Sequence, residues 1–259
     1  MRIDESFQEA YRELEKRMRT LAEEDGDGFL PSVEPEGPVQ YVIICMEPSL
    51  SRRAGAVDQL RTAVNAGHRN FLYAIEDSIL HFCIRNYLCG PSDRYHITDI
   101  SKGAMLVKLA NVDRKKRWDR WYALLQEEID LIAAPNASFI AVGNEVTNYL
   151  KQQKFPRTFN KVIHYSRQAG RARKEGIRDH EADFQVFRNS VSIKKVIDAT
   201  GDFLTSARVP GRTRVPAEIR NEVLSHLEKS ELTTSRQQLI FNYKLAFEKM
   251  KKQREDSSK

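Results

Sequence analysis

Apolar residues recur at helical spacing over residues 5–24, where Phe7, Tyr11, Leu14, Met18 and Leu21 share one stripe. The stretch "EDGDGFLPSVEPEGP" that follows is rich in Gly, Pro and acid and reads as a linker. The pattern then changes. "VQYVIIC" is a short, nearly unbroken apolar run, as expected of a strand buried on both faces of a parallel sheet. Residues 68–88 return to helical spacing with Phe71, Leu72, Ile75, Ile79, Phe82 and Cys83, and "CGP" ends them. "YHITDIS" (95–101) predicts a second strand. A helix over 117–132 turns Trp118, Trp121, Tyr122, Leu125, Ile129 and Ile132 inward. "SFIAVG" (138–143) predicts a third strand, followed by a turn and a short helix ending near Lys151. "KVIHY" (161–165) predicts a fourth. Beyond residue 168 the pattern is helical to about Ser206, with breaks expected at Gly176 and Gly201. Two more helices follow at about 216–229 and 232–253.

Strands alternating with helices predict an α/β protein. The expected architecture is a three-layer α/β/α core with a central four-stranded, mostly parallel sheet, plus N-terminal and C-terminal helices. It divides into an N-terminal helix and acidic linker (1–36), an α/β core (37–206) and a C-terminal helical extension packed on that core (207–259).

Charge changes this picture by its distribution. The formal net charge is +6, yet residues 1–36 carry eleven acids against five Lys/Arg. Residues 101–120 carry seven Lys/Arg against two acids, and residues 151–178 carry nine against the single acid Glu175. Two basic segments, each following an expected strand, make the middle of the chain the candidate surface for a polyanion. No apolar run approaches the roughly 20 residues that span a bilayer, so no membrane partner is expected. The charged N-terminus "MRIDESFQEA" lacks the apolar segment of a secretory signal. Cys45, Cys83 and Cys89 form no C-x-x-C pair. These features predict a cytoplasmic protein. Nothing in the sequence requires a protein partner, and a monomer is expected.

Ligands of open parallel sheets bind beyond the carboxyl ends of the strands. The four strand ends deliver Glu47-Pro48-Ser49, then Thr98, Asp99, Ser101 and Lys102, then Gly143-Asn144-Glu145, then His164, Tyr165 and Ser166. Two carboxylates and one imidazole are therefore expected around one crevice. Each also has an ordinary structural use: Glu47 beside a helix start, Asp99 as a cap or a partner of Lys102, His164 in the core. The six histidines are scattered, with no H-E-x-x-H, so no metal site is expected. Ser49 and Ser166 lie outside G-x-S-x-G. No Walker loop or G-x-G-x-x-G occurs, so no nucleotide cofactor is expected.

The order of these motifs resembles the uracil-DNA glycosylase superfamily. "MEPS" (46–49) is similar to that family's first strand-end motif, "YHITDISKG" (95–103) to its second, and "SFIAVGNEVTNYL" to its third. "VIHYSRQAGRARK" (162–174) stands where the family has a His-Pro-Ser type motif. The likeness covers about residues 38–175. Three departures stand out. Met46 replaces a glycine, Tyr165 follows the histidine in place of proline, and Asp99 replaces the family's base-reading Asn. The iron–sulfur subclass needs four cysteine ligands, so three cysteines imply no cluster.

The resemblance implies a monofunctional DNA glycosylase without cofactor, a hydrolase that leaves an abasic site. Glu47 would stabilise the oxocarbenium-like sugar and activate water, with Pro48 aiming it. His164 would donate to the oxygen of the leaving base. Asp99 would read the base edge, with Phe71, Tyr73 and Asn144 around it. Ser49, Lys102, Ser166, Arg167, Gln168, Arg171, Arg173 and Lys174 would hold the DNA, Arg167 or Gln168 filling the vacated stack. Ionised Asp99 only accepts hydrogen bonds, so it suits the exocyclic amine of cytosine rather than plain uracil. A modified cytosine follows as the expected base. Relatives that excise glucosylated hydroxymethylcytosine from phage DNA make an antiviral role compatible; a proton held on Asp99 by burial would return uracil as a candidate. Two other readings remain open: a non-catalytic nucleic-acid-binding module on the same fold, and a hydrolase of free nucleosides or nucleotides.

Overall fold

A computed structural model of the protein describes residues 5–50, 55–166, 169–209 and 214–257. Helix α1 (Glu5–Glu24) leads into a two-residue strand β1 (Gly28–Phe29) and then β2 (Val39–Cys45). After β3 (Ser49–Leu50) come α2 (Ala56–Ala66) and α3 (Ile75–Cys83), the latter prolonged by a π-turn over Ile84–Leu88. Then follow β4 (Tyr95–Asp99), β5 (Gly103–Leu106), α4 (Val107–Ile132), β6 (Ala133–Val142), α5 (Asn144–Gln152) and β7 (Phe159–Val162). The remainder is helical: α6 (Gly170–Glu175), α7 (Glu181–Arg188), α8 (Ile193–Ser206), α9 (Ala217–Glu228) and α10 (Thr234–Ser257).

The central sheet has the order β4-β2-β6-β7, and all of its neighbouring strands are parallel. Helices cover both faces, giving the expected three-layer α/β/α architecture. A smaller sheet of order β1-β5-β3 sits beside it, which the sequence pattern did not indicate because two of its strands have only two residues.

Side chains on a strand alternate between faces, and here they divide between two cores. Tyr41, Ile43 and Cys45 of β2, with Ile140 and Val142 of β6, face a layer built from α3, α7, α8, α9 and α10. Val42, Ile44, Phe139 and Ala141 face the layer built from α4 and α5, joined by Phe7 and Tyr11 of α1. A second face of α4, with Trp121 and Leu124, packs on Leu14, Met18 and Ala22 of α1. Each fully buried aliphatic side chain contributes about 1.5–3 kcal/mol, so the unbroken apolar runs are where a two-faced sheet must lie.

Two expectations need correction. The helix expected over 68–88 begins only at Ile75. Phe71 has φ +62°, which breaks the helical path, and the Asp77 carboxylate accepts the Ala74 N–H at 3.1 Å to start α3 there. Gly201 lies inside an unbroken α8; the break falls before Ser192, whose hydroxyl caps that helix. Leu204 of α8, Val223 and Leu227 of α9, and Leu239 and Phe247 of α10 belong to the same cluster as Ile43.

Candidate active site

The chain runs from β2 outward to β4, then crosses back over β2 to β6 and on to β7. Its direction therefore switches between β2 and β6, and open α/β sheets bind ligands beyond the carboxyl ends of strands at such a switch. Glu47 follows β2 at that point, and Gly143 follows β6. Gly143 has φ +91° and ψ 170°, a conformation essentially confined to glycine. A β-carbon there would stand 3.1 Å from His164 Cβ and Cδ2. The glycine thus lets the end of β6 turn away and lets His164, arriving after β7, lie directly against it.

Glu47 is held firmly. Its side chain is only 6% exposed and Arg114 faces Oε1 with two nitrogens, Nε and Nη2, each at 3.0 Å. The Trp118 indole N–H donates to Oε2 at 2.9 Å. Both residues come from α4, just past Asp113, whose φ −126° and ψ 22° break the helix. Burial raises the Glu47 carboxyl above its usual range, while the Arg114 charge and the two donors offset part of that rise.

His164 is set up as a neutral donor. Burial, with the charges of Arg173 and Arg114, lowers it to about 4. The Ser166 N–H donates to Nδ1 at 2.9 Å, so the single ring proton belongs on Nε2. The loop is clamped from below. Arg173 donates to the carbonyls of Tyr165 at 2.5 Å and Ser166 at 2.8 Å, and to Ser235 Oγ of α10 at 3.0 Å. Tyr243 of α10 donates to the Ile163 carbonyl at 3.0 Å. The C-terminal helix therefore fixes the imidazole as well as completing the core.

Asp99, at the end of β4, is 2% exposed. Its Oδ2 accepts from Asn70 Nδ2 at 2.5 Å, and Asn70 Oδ1 accepts the Phe71 N–H at 3.0 Å, which locks the amide. Lys102 donates to the Asp99 carbonyl at 3.1 Å, not to its carboxyl group. Burial first, with Glu47 and Glu128 adding repulsion, raises the carboxyl to about 8 against the pull of Lys102 and Asn70. These surroundings favour the protonated carboxyl at neutral pH, the alternative to an ionised Asp99 that the sequence left open.

The other expected residues divide. Lys102 is 2% exposed and ion-paired with Glu128 at 2.9 Å, so it has no free ammonium for a phosphate. Arg173 is likewise buried and spent on the loop. Phe71 is buried in the core, its carbonyl accepts from His81 at 2.9 Å, and it lines the cavity along the β4 edge with Asn70. Tyr73 stacks on His68 at 3.9 Å. Ser49 is exposed on β3, and Asn144 is exposed at the first turn of α5. Ser166 is half-buried beside His164. Arg171 and Lys174 are exposed on α6, Arg171 paired with Glu175 at 2.7 Å. Arg167 and Gln168 lie outside the described residues.

Asn70, Arg114 and Trp118 were missed as site residues. Trp118 was visible only as a core position and Arg114 only as part of a basic run. A cavity of about 680 Å³ runs along the β4 edge toward α8, lined by Tyr95, His81 and Phe203, and it reaches Asn70. Glu47, Asp99 and His164 do not line it. Among the described residues no cluster of His, Cys, Asp and Glu could hold a metal ion, and no helix is long and apolar enough to cross a membrane. No family model, no curated protein and no solved structure matches this chain.

Proposed function

We propose that this protein is a DNA glycosylase that hydrolyses the N-glycosidic bond of a modified base extruded from the duplex, leaving an abasic site. The observation that carries the reading is the pairing, at one end of the sheet, of an oriented acid and a neutral imidazole whose proton is confined to Nε2. Glycosidic hydrolysis develops positive charge on the sugar and negative charge on the departing base. Glu47 answers the first charge and accepts a proton from the attacking water. His164 Nε2–H answers the second by donating to the base oxygen, a contact of the kind worth about 3–4 kcal/mol in the transition state. The Arg114 charge acts on both side chains, which supports a shared site.

Exposed cations lie close in the chain to both side chains. Lys115 and Lys116 adjoin Arg114, and Arg171 and Lys174 follow the His164 loop. They suit a phosphate backbone, and binding through them weakens steeply with salt. The base must leave the stack to reach buried Asp99. The cavity that reaches Asn70 supports a base with a bulky hydrophilic substituent, of which glucosylated hydroxymethylcytosine is one. Cytoplasmic action as a monomer in defence against DNA with modified bases belongs to the same reading.

The test is incubation with duplexes carrying single modified cytosines or uracil, then alkali. Strand breaks with wild type, reduced at least ~100-fold by Glu47→Gln, support it. Salt-sensitive binding without abasic sites would instead indicate a non-catalytic module, and cleavage of free nucleosides alone a nucleoside hydrolase.

A further inference from the structure

We propose that Asp99 is the general acid of this site, transferring its proton to the ring nitrogen N3 of a cytosine-type base as the base departs. This rests on the glycosylase reading and names the substrate class and the third reacting residue.

The geometry comes from what surrounds the carboxyl. A buried carboxylate stays ionised when a cation or several donors meet it. Among the described residues Asp99 has one side-chain donor, Asn70, and that amide is locked by the Phe71 N–H. Lys102, whose charge acts on the carboxyl, is turned to the Asp99 carbonyl, to Thr98 and to Glu128. The other titratable groups acting on it are Glu47 after β2 and Glu128 of α4, both acids, and both oppose ionisation. Cys45 and Tyr165 also face it as neutral groups. Because Oδ2 already accepts the Asn70 amide, the proton belongs on Oδ1. Glu47, by contrast, has Arg114 on one oxygen and Trp118 on the other. Two neighbouring carboxyls with environments this different separate into acid and base.

The chemistry gives that division a use. Uracil leaves as a resonance-stabilised anion and needs only a hydrogen bond to its oxygen. Cytosine is the poorer leaving group, and protonation at N3 makes its departure feasible. Asp99 Oδ1–H would donate to N3 while Oδ2 accepts from the exocyclic amine and His164 Nε2–H holds O2. As the C1′–N1 bond breaks, its electron pair goes to the base and the Oδ1 proton moves to N3. Water adds its oxygen to C1′ and gives its proton to Glu47. The base leaves neutral, Glu47 releases its proton to solvent, and Asp99 takes one back.

The test measures excision of cytosine, hydroxymethylcytosine, its glucosylated form and uracil from otherwise identical duplexes, by wild type and Asp99→Asn, across pH. Wild type is expected to release one or more of the cytosine-type bases, with a rate falling about tenfold per pH unit above about 8. Asp99→Asn keeps hydrogen-bonding capacity but has no transferable proton. It is expected to lose ~100-fold or more on those bases and to keep uracil excision within about tenfold. Cytosine-type excision by Asp99→Asn at wild-type rate with the same alkaline limb overturns the acid role and leaves the glycosylase reading standing. Equal loss on every base by a folded variant also overturns it, in favour of simple edge binding, and so does a wild type active on uracil alone. Absence of any excision by wild type sinks both. The wild-type pH profile stands as an independent readout should the variant fail to fold.

Discussion

Two buried carboxyl groups sit on the two sides of β4's end, and their surroundings differ in kind. Glu128 of α4 is 1% exposed, yet fully partnered. Lys102 donates to it at 2.9 Å, Thr98 at 2.7 Å, His96 at 3.1 Å and Tyr11 at 3.4 Å. Burial alone would raise it, but the Lys102 charge and these donors hold it down at about 2. Asp99 is as deeply buried, has one side-chain donor and no ion pair among the described residues, and rises to about 8. Burial is common to both, so partners decide the charge. The partnered acid is a strut that ties β4 to α4. The other, with a single amide donor, is pushed toward its neutral form at the end of β4, a state that costs stability.

The contrast breaks most sharply at Glu128. Glu128→Gln leaves the Lys102 ammonium buried without its counter-charge, and loss of one partner of such a pair costs about 3–5 kcal/mol. Chemical denaturation should show that loss near neutral pH. It should shrink as pH falls from 4.5 toward about 2, because the depressed acid contributes stability only while it is ionised.

Asp99→Asn should move stability the other way. The folded protein keeps a proton on Asp99 that the unfolded chain releases near 3.8. Wild-type stability therefore falls as pH rises from about 4 to about 8, by up to roughly 1.4 kcal/mol per pH unit. The asparagine variant lacks this slope. It should be more stable than wild type at about pH 7, by an amount on the order of a few kcal/mol, and indistinguishable from it at about pH 4. An unfolding series over that range checks the sign. Equal pH slopes in the two proteins would mean that Asp99 is ionised in the fold.

Gly143→Ala sharpens the comparison from the imidazole side. A side chain at φ +91° is strained, and its β-carbon crowds His164 at 3.1 Å. The expected cost is about 1–3 kcal/mol of stability. Excision should fall by more than that loss explains, because the imidazole is displaced while Glu47 and Asp99 stay in place.

Much of the fold was legible because it rests on patterns local to a few residues. "VQYVIIC" and "SFIAVG" announce strands buried on both faces, and the stripe over 5–24 announces α1. The small sheet escaped notice because two of its strands are too short to carry a period. The helix start at Ile75 escaped because Phe71 and Leu72 keep the apolar spacing while leaving the helical path. In the site, Glu47, Asp99 and His164 could be picked out as polar residues at strand ends. Lys102 and Arg173 looked like DNA contacts for the same reason that Arg114 looked like one more surface charge. A basic residue's spacing says nothing about which way its long side chain turns.

What the sequence determined by itself is the alternation of strands and helices, the depth of the core, and the short list of polar groups delivered to one end of the sheet. These follow from hydrophobic spacing and turn residues, which act over a few positions. Only the tertiary structure decided the charge and use of each group. Asn70 meets Asp99 across 29 positions, Arg114 meets Glu47 across 67, and Arg173 reaches Ser235 across 62. Proton affinity depends on the solvent excluded and the charges brought near, and both come from contacts between residues that are far apart in the chain.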